Sequence, residues 1–259
     1  MIQVKGMAGG PITNFQTEVS HITMSSYESA AKIRDRVQSG MGLNVLARLQ
    51  ERAQFVRFGN RCAATSLGAG FVYIVAKGVV GIESAAHPDI RAVTALLYPG
   101  DVLIPELQAL PDLELTSQHS AVFWKLTMTA LAEEAAKDPQ LWQAVFLRPL
   151  AQHARSQLHI ATMSGLNSEE RIAAFLIEIG VRIGMQAGGS ISVELPLTRY
   201  GIADYLSLNA DTVSRILSSL VSEGIVKRRG RFQILIRDWR ALTAKCPLSE
   251  AIILLHGAG

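Results

Sequence analysis

The chain has 259 residues, of which 49% are hydrophobic and 18% are charged, so it is neither wholly disordered nor too short for a hydrophobic core. No uninterrupted apolar run approaches the roughly 20 residues that a membrane helix needs, and the N-terminal residues lack the apolar core of a secretory signal. The two cysteines, Cys62 and Cys246, are too few for a disulfide framework, a four-cysteine zinc site or an iron–sulfur cluster within one chain. These features predict a cytoplasmic protein without a membrane partner.

The net charge of +3 is small, but it is unevenly placed along the chain. Residues 196–245 contain nine Lys or Arg and four Asp or Glu, whereas the remainder is slightly acidic. A basic segment on a near-neutral body favours a polyanionic partner for that segment. A solvated basic face explains the charge equally well, so charge alone does not decide.

The first half of the chain changes from a helical to a strand pattern. Residues 1–25 have no clear hydrophobic period and are predicted to be a flexible tail, and residues 27–54 have a helical pattern broken at Gly40–Gly42. Short apolar runs follow at Phe71–Val75, Val79–Ile82, Ile90–Leu97 and Val122–Leu126. Lys77-Gly78 is a tight turn between the first two runs, and Tyr98–Asp101 is a turn after the third. This spacing predicts an antiparallel sandwich or small barrel.

Helical patterns return after the strands. Thr127 can cap a helix that extends to Asp138, and Pro139 suits the first turn of a second helix that continues to about Ser164. The second helix carries an apolar stripe formed by Phe146, Leu150, Ala154, Leu158 and Ala161. The stripe either packs within its own domain or forms a coiled-coil seam with a second chain. Pro149 lies inside this helix and is expected to kink it or to end a first segment there.

Asn167 and Glu170 form a capping box at the start of another helix, and a domain boundary is expected near residues 164–167. The buried face of this helix is predicted to be Ile172, Phe175, Leu176, Ile179 and Ile183. Gly188-Gly189 is expected to end the segment.

A helix-turn-helix pattern follows. Thr198 can cap a short helix over Arg199–Leu206, and after a turn Asn209 can cap a second helix over Ala210–Glu223, which ends at Gly224. The second helix is expected to bury Val213, Ile216, Leu217 and Leu220, which leaves Asp211, Thr212, Ser214, Arg215 and Ser218 on exposed or partly exposed positions.

The next segment predicts a β-hairpin with a cationic tip, the wing of a winged helix. Its strands are Ile225–Lys227 and Phe232–Ile236, and Arg228-Arg229-Gly230 forms the turn. Asp238 can cap a last short helix that contains Trp239 and Leu242.

These elements together point to double-stranded DNA. A second helix of this kind can enter a major groove roughly 12 Å wide, where Ser214 and Arg215 would meet base edges. Side chains around it are expected to contact phosphates and fix the register without reading sequence. This set comprises Thr198, Arg199, Thr212, Lys227, Arg228, Arg229 and Arg231.

The stretch Leu195–Val226 resembles the winged-helix domain of the Crp–Fnr family of bacterial transcription regulators, and the order of the preceding elements is similar to that family. The resemblance implies an α+β protein with a cyclic-nucleotide-binding-like β-roll sensor domain (residues 26–138), a dimerisation helix (139–164) and a winged helix-turn-helix domain (165–259). It implies a homodimer on a pseudo-palindromic DNA site, and contact with RNA polymerase if the protein is an activator.

In the Fnr branch the recognition helix presents Glu-x-x-Ser-Arg, and here Asp211 stands in place of the Glu. The shorter Asp211 can still accept from a cytosine N4, or it can simply favour the helix dipole, so the half-site preference stays open.

The signal that the sensor domain detects is less defined. Cyclic-nucleotide binders of the family use a Gly-Glu pair and an Arg-Ser/Thr-Ala run, but this chain has Pro105-Glu106 and no arginine between Arg91 and Arg148. We therefore expect no cAMP, no iron–sulfur cluster and no resident cofactor, with haem or a small metabolite as the alternative. Candidate haem ligands are His87, His119, His153 and His159.

Two further groups suggest other signals. Cys246 follows Lys245, whose charge could lower the thiol pKa and make the cysteine redox-active, although an inert thiol is the simpler interpretation. His153 and His159 could instead titrate near a dimer interface. The chain lacks both the cyclic-nucleotide residues and the iron–sulfur cysteines. In this it resembles members of the FixK branch that sense no ligand in this domain.

Two other classes of function compete with DNA binding. The C-terminal domain could serve as a protein-binding surface, but its basic wing and exposed Ser214 and Arg215 argue against this. An enzyme is not expected, because no nucleophile-elbow, metalloprotease, Walker or dinucleotide-binding pattern occurs in the right context.

Overall fold

The computed structural model describes Leu49 and residues 52–59, 61–63, 67–87, 90–107 and 113–257. The predicted tail and most of the predicted helix over residues 27–54 lie outside these residues. Gln54 itself already belongs to a strand.

The N-terminal module consists of two four-stranded antiparallel sheets, which agrees with the predicted sandwich. The first sheet has the order β1-β8-β3-β6 and the second β2-β7-β4-β5. The strands are β1 (Gln54–Phe58), β2 (Arg61–Ala63), β3 (Phe71–Lys77), β4 (Val80–His87), β5 (Ile90–Leu97), β6 (Val102–Leu103), β7 (Leu113–Thr116) and β8 (Ala121–Thr127). Alternating apolar side chains from both sheets, including Tyr73, Leu115 and Phe123, form the core between them.

The turn at Lys77-Gly78 does not join two paired strands. β3 pairs with β8 and β6, whereas β4 pairs with β5 and β7, so the chain passes from one sheet to the other at this point. Gly78 has a φ of +85°, and a Cβ atom there would lie 3.0 Å from the Cα atom of Ala121. Turn residues do not show which strands β3 and β4 will pair with. The crossover between the sheets was therefore not predicted from the sequence.

Two helices leave the sheets. α1 (Met128–Lys137) is capped by Thr127, as predicted, and α2 (Pro139–Gly165) follows. Pro149 does not end α2, which continues for 27 residues and therefore spans roughly 40 Å. The expectation that a first segment would end at Pro149 is wrong.

The C-terminal module combines helices with a third antiparallel sheet. It contains α3 (Ser168–Ile183), β9 (Met185–Ala187), β10 (Ser190–Glu194), α4 (Arg199–Tyr205), α5 (Ala210–Ser222), β11 (Val226–Arg229), β12 (Gln233–Ile236), α6 (Trp239–Ala244) and α7 (Ser249–Gly257). Asn167 and Glu170 form the predicted capping box. Gly188-Gly189 is the turn of a β9–β10 hairpin that the sequence did not predict, and α6 is not the last helix because α7 follows it.

The two modules pack against each other through the outer face of β5. Val93, Leu96 and Tyr98 belong to the same apolar cluster as Ile172 and Leu206 of the C-terminal module. Among the residues described, no helix combines the length and apolar character needed to cross a membrane.

Candidate nucleic-acid interface

α4 and α5 form a helix-turn-helix whose ends are fixed by the predicted caps. Thr198 Oγ1 accepts from the amide of Gly201 at 3.1 Å, and Asn209 Oδ1 accepts from the amide of Thr212 at 2.7 Å. Each side chain satisfies one of the amides that a helix N-terminus leaves unpaired. In the turn between the helices, Ser207 has a φ of 52°, a left-handed conformation that is uncommon for a residue other than glycine.

The two faces of α5 differ in chemistry. The inward face buries Val213, Ile216, Leu217 and Leu220, as predicted. The outward face presents exposed Asp211 and Arg215 with half-buried Thr212 and Ser214 between them. Within the described part of the chain, the side chains of Asp211 and Arg215 have no hydrogen-bond partner. Both remain available to a ligand in solution.

The basic wing lies beside this helix. β11 and β12 pair from Val226–Ile236 to Arg229–Gln233, and Gly230 at the tip has a φ of 76°. The cations Lys227, Arg228, Arg229 and Arg231 are all exposed. A groove of about 380 Å³ separates the wing from the start of α4 and is lined by Arg199, Arg228 and Arg231 among others. The groove is therefore suited to an anionic backbone.

The long helix α2 exposes apolar side chains that only partly match the predicted stripe. Leu147, Leu150 and Ile160 are 51%, 64% and 56% exposed, and Ala161 is also exposed. Ala154 is half-buried, and the side chain of Phe146 is outside the described part. Leu158, which the sequence assigned to the stripe, is half-buried and packs against the core of its own chain. Sequence periodicity missed Leu147 and Ile160, because it could not show which face of α2 the chain covers.

A buried polar junction connects the turn after β5 with α2 and α3. Asp101 is 1% exposed, and its Oδ1 atom lies 2.7 Å from Arg155 Nη2 and 2.9 Å from Arg182 Nη2. The Arg155 contact is a hydrogen bond, whereas the Arg182 contact is an ion pair without hydrogen-bond alignment. Asp101 Oδ2 also accepts from the amide of Tyr98 at 2.9 Å. Buried charges of this kind require partners because desolvation is costly.

A second part of the junction reaches the helix-turn-helix. Tyr98 donates its hydroxyl to Glu178 Oε1 at 2.7 Å, and Tyr205 of α4 donates to Glu178 Oε2 at 3.1 Å. Burial raises the pKa of the Glu178 carboxyl, although both hydroxyls and the Arg182 guanidinium oppose this shift. Sequence reasoning missed these residues. The available signal was a charged pair, Glu178 and Arg182, spaced four residues apart within a strongly apolar helix.

The candidate histidines occupy different environments. The His159 ring stacks on the Tyr205 ring with 4.2 Å between centroids, and burial lowers the pKa of His159 to about 4. His159 is therefore neutral near pH 7. His153 is exposed, His119 Nε2 lies 3.4 Å from Glu194 Oε1, and the side chain of His87 is outside the described part.

The surroundings of Cys246 argue against the redox hypothesis. The residue is only 2% exposed, and burial raises the pKa of its thiol. The ammonium of Lys245, which was expected to lower this pKa, instead lies 2.6 Å from Glu169 and 2.8 Å from Glu223. A buried thiol with a raised pKa reacts slowly because the thiolate is the reactive form. The side chain of Cys62 is outside the described part.

Glu106 lies on the surface of the N-terminal module. Its carboxylate accepts from the backbone amide of Gly70, and this hydrogen bond lowers the pKa of Glu106. The side chain therefore already has a partner within the chain.

The fold and this interface define a winged helix-turn-helix regulator joined to a β-sandwich module. The model of the Crp-like helix-turn-helix domain matches residues 170–245. The nitrogen fixation regulation protein FixK of Rhizobium meliloti is 31% identical over 67% of this chain and 77% of its own length. FixK of Azorhizobium caulinodans is 28% identical over 79% of this chain and 83% of its own length.

A solved structure agrees with these sequence relatives. FixK2 from Bradyrhizobium japonicum is 25% identical, covers 75% of this chain and 97% of its own chain, and superposes with a TM-score of 0.61. The chain belongs to the Crp–Fnr family, in its FixK branch, and it is a DNA-binding transcription regulator. These relatives are transcription regulators rather than enzymes.

Proposed function

We propose that the protein acts in the cytoplasm as a homodimer that binds a pseudo-palindromic DNA site with α5 of each subunit in a major groove. The observation that carries this proposal is the outward face of α5, where exposed Asp211 and Arg215 have no partner within the described part of the chain. Arg215 can donate two hydrogen bonds to guanine O6 and N7, and Asp211 can accept from a cytosine N4. RNA polymerase is a further partner if the protein is an activator.

The phosphate contacts in this proposal come from the helix N-termini and the wing. Thr198 and Thr212 lie at the starts of α4 and α5, and Lys227, Arg228, Arg229 and Arg231 surround the wing tip. Arg199 lines the groove between these parts. Such contacts supply affinity and fix the register, and they weaken as the salt concentration rises.

The function is tested by in vitro selection from random duplex DNA, with the purified full chain, reduced and without added ligand. We expect a two-fold symmetric site whose half-sites lie about one helical turn apart. Binding without sequence preference would contradict the proposal. It would show that the basic surface attracts DNA but that α5 does not read bases.

Replacement of Arg215 by alanine should cost about 1–3 kcal/mol per half-site and relax the base preference at one symmetric position, because a bidentate guanine contact is lost. Arg229→Ala is the matched control, since it removes an exposed arginine from the wing. It should weaken binding to all sequences alike and make the salt dependence shallower. Competition binding with single-base variants of the selected site measures both effects. Unchanged specificity in Arg215→Ala would show that α5 has a different register in the groove.

The dimer interface in this proposal is the exposed stripe of α2. Leu147, Leu150, Ala154 and Ala161 follow one another at steps of three, four and seven residues, the spacing of a coiled-coil seam. In this proposal the stripe joins two subunits, and the cations of each subunit contact the phosphates of one half-site.

Leu150→Asp should raise the dissociation constant of the dimer by on the order of 100-fold, because each subunit loses about 1.5 kcal/mol of apolar burial. Leu254→Asp is the control, since Leu254 is 67% exposed and Leu150 64% and Leu254 lies on α7 rather than on α2. Analytical ultracentrifugation over a concentration series measures the change. If Leu150→Asp and Leu254→Asp dimerise equally well, α2 is not the interface.

A second candidate, an effector-gated regulator of the same fold, is supported by a cavity of about 660 Å³. Aliphatic side chains, among them Val93 and Leu96 of β5, form half of its lining, and the other half is polar or charged and includes Gln152, Arg155, Ser156, His159, Glu178 and Asp204. We propose no resident cofactor, cAMP or iron–sulfur cluster, and a small metabolite or haem is the alternative. The selection experiment separates the two candidates, because an obligatory effector predicts a recovered site only when the effector is added.

A further inference from the structure

The side chain of Arg199 crosses from the first helix of the helix-turn-helix to the second. Arg199 is the first residue of α4, directly after the Thr198 cap. Its Nη1 atom donates to Ser214 Oγ on α5 at 2.9 Å. The guanidinium therefore lies beside the proposed base-reading face, in addition to lining the groove next to the wing.

The hydroxyl of Ser214 has two partners within the chain. Its hydrogen is donated to the carbonyl oxygen of Ala210, one turn earlier in α5, at 2.8 Å. One of its lone pairs accepts from Arg199. A serine hydroxyl has one hydrogen and two lone pairs, so a single lone pair remains for a base.

We infer that Arg199 is a positioning residue for base recognition, which together with the Ala210 carbonyl fixes the Ser214 hydroxyl as an acceptor. This inference rests on the proposed function, in which α5 occupies the major groove. An acceptor in that groove recognises an exocyclic amine, either adenine N6 or cytosine N4, and does not recognise guanine O6 or thymine O4. The guanidinium has five N–H donors, so Arg199 can hold Ser214 and still contact a phosphate.

Ser218 is a serine on α5 whose hydroxyl accepts no hydrogen bond from an arginine within the described residues. It lies one turn after Ser214, is exposed whereas Ser214 is half-buried, and donates its hydroxyl to the carbonyl of Ser214 at 2.8 Å. Within the described residues, no side chain donates to Ser218 Oγ. Of these two serines, only Ser214 both donates a hydrogen bond and accepts one from a side chain. Ser218→Ala is therefore a matched control for Ser214→Ala.

The test measures base preference at every position of the selected site for the full chain and five variants. Ser214→Ala and Arg199→Ala should lose about five- to tenfold preference at the same symmetric position. The double variant should lose no more at that position than Ser214→Ala does. Ser218→Ala should keep the wild-type preference, and Arg231→Ala should weaken all sequences alike. Preserved preference in Arg199→Ala, with only weaker overall binding, would overturn the inference.

A base analogue then identifies the recognised group. If the position holds adenine, purine without the 6-amine replaces it, and if it holds cytosine, 2-pyrimidinone replaces it. The analogue should weaken wild-type binding by the factor seen in Ser214→Ala and should not weaken binding by Ser214→Ala itself. An analogue without effect on the wild type would overturn the acceptor assignment. Wild-type binding without sequence preference would overturn the proposed function, and the inference with it.

Discussion

Asp101→Ala should lower the free energy of unfolding by about 3–5 kcal/mol, because it leaves buried arginines without their counter-charge. In the structure the Asp101 carboxylate is 1% exposed and faces Arg155 and Arg182 at 2.7 and 2.9 Å. The loss is measured by urea denaturation at one fixed protein concentration, since dimerisation makes stability depend on concentration.

The control for Asp101 is Glu169→Ala. Glu169 forms an ion pair with Lys245 at 2.6 Å, but its side chain is 48% exposed, and such pairs contribute about 0–1 kcal/mol. If Asp101→Ala cost no more than Glu169→Ala, the buried junction would not stabilise the packing of the two modules.

Acidification should destabilise the protein through His159 as the pH falls from 6.5 towards about 4. The folded state keeps the ring neutral, whereas the unfolded chain takes up a proton below its ordinary pKa of 6.5. The unfolded state therefore binds more protons in this window, and stability falls by about 1.4 kcal/mol per pH unit, or roughly 3 kcal/mol in all. His256 acts in the same direction, since burial and nearby Arg182 and Arg155 lower its pKa well below its usual value.

His159→Phe isolates this contribution because phenylalanine keeps an aromatic ring against Tyr205 and cannot take up a proton. The variant should lose less stability than the wild type between pH 6.5 and 4. Urea denaturation at several pH values measures the difference. Parallel pH profiles for the wild type and His159→Phe would contradict the assignment.

The parts of the molecule that the sequence predicted well are those that depend on neighbouring residues. Thr127, Asn167, Thr198, Asn209 and Asp238 all cap the helices that they were expected to cap. A capping side chain reaches an amide only two or three residues away, so its effect is local. The wing and the buried face of α5 follow from equally local patterns.

The parts that the sequence missed depend on contacts between distant residues. Tyr98 and Glu178 are 80 positions apart, and Asp101 and Arg155 are 54 apart, so no short pattern reveals these pairs. Contacts between distant residues also decide the crossover at Gly78 and the packing of Leu158 against the core of its own chain. For Cys246, the sequence shows the neighbouring Lys245 but does not show that the cysteine is buried.

The wing belongs to a larger sheet, and this has a consequence for the thermodynamics of DNA binding. An isolated two-stranded hairpin is at best marginally stable in water, but β12 also pairs with β10 through four residues on each strand, and β10 pairs with β9. Ile191, Val193, Ile234 and Ile236 of these strands are buried in the core of the module. The arginine-rich tip is thus carried on a preformed support, so association need not include the entropic cost of ordering the hairpin. The heat-capacity change of binding should then reflect the surface buried against DNA rather than coupled folding of the wing.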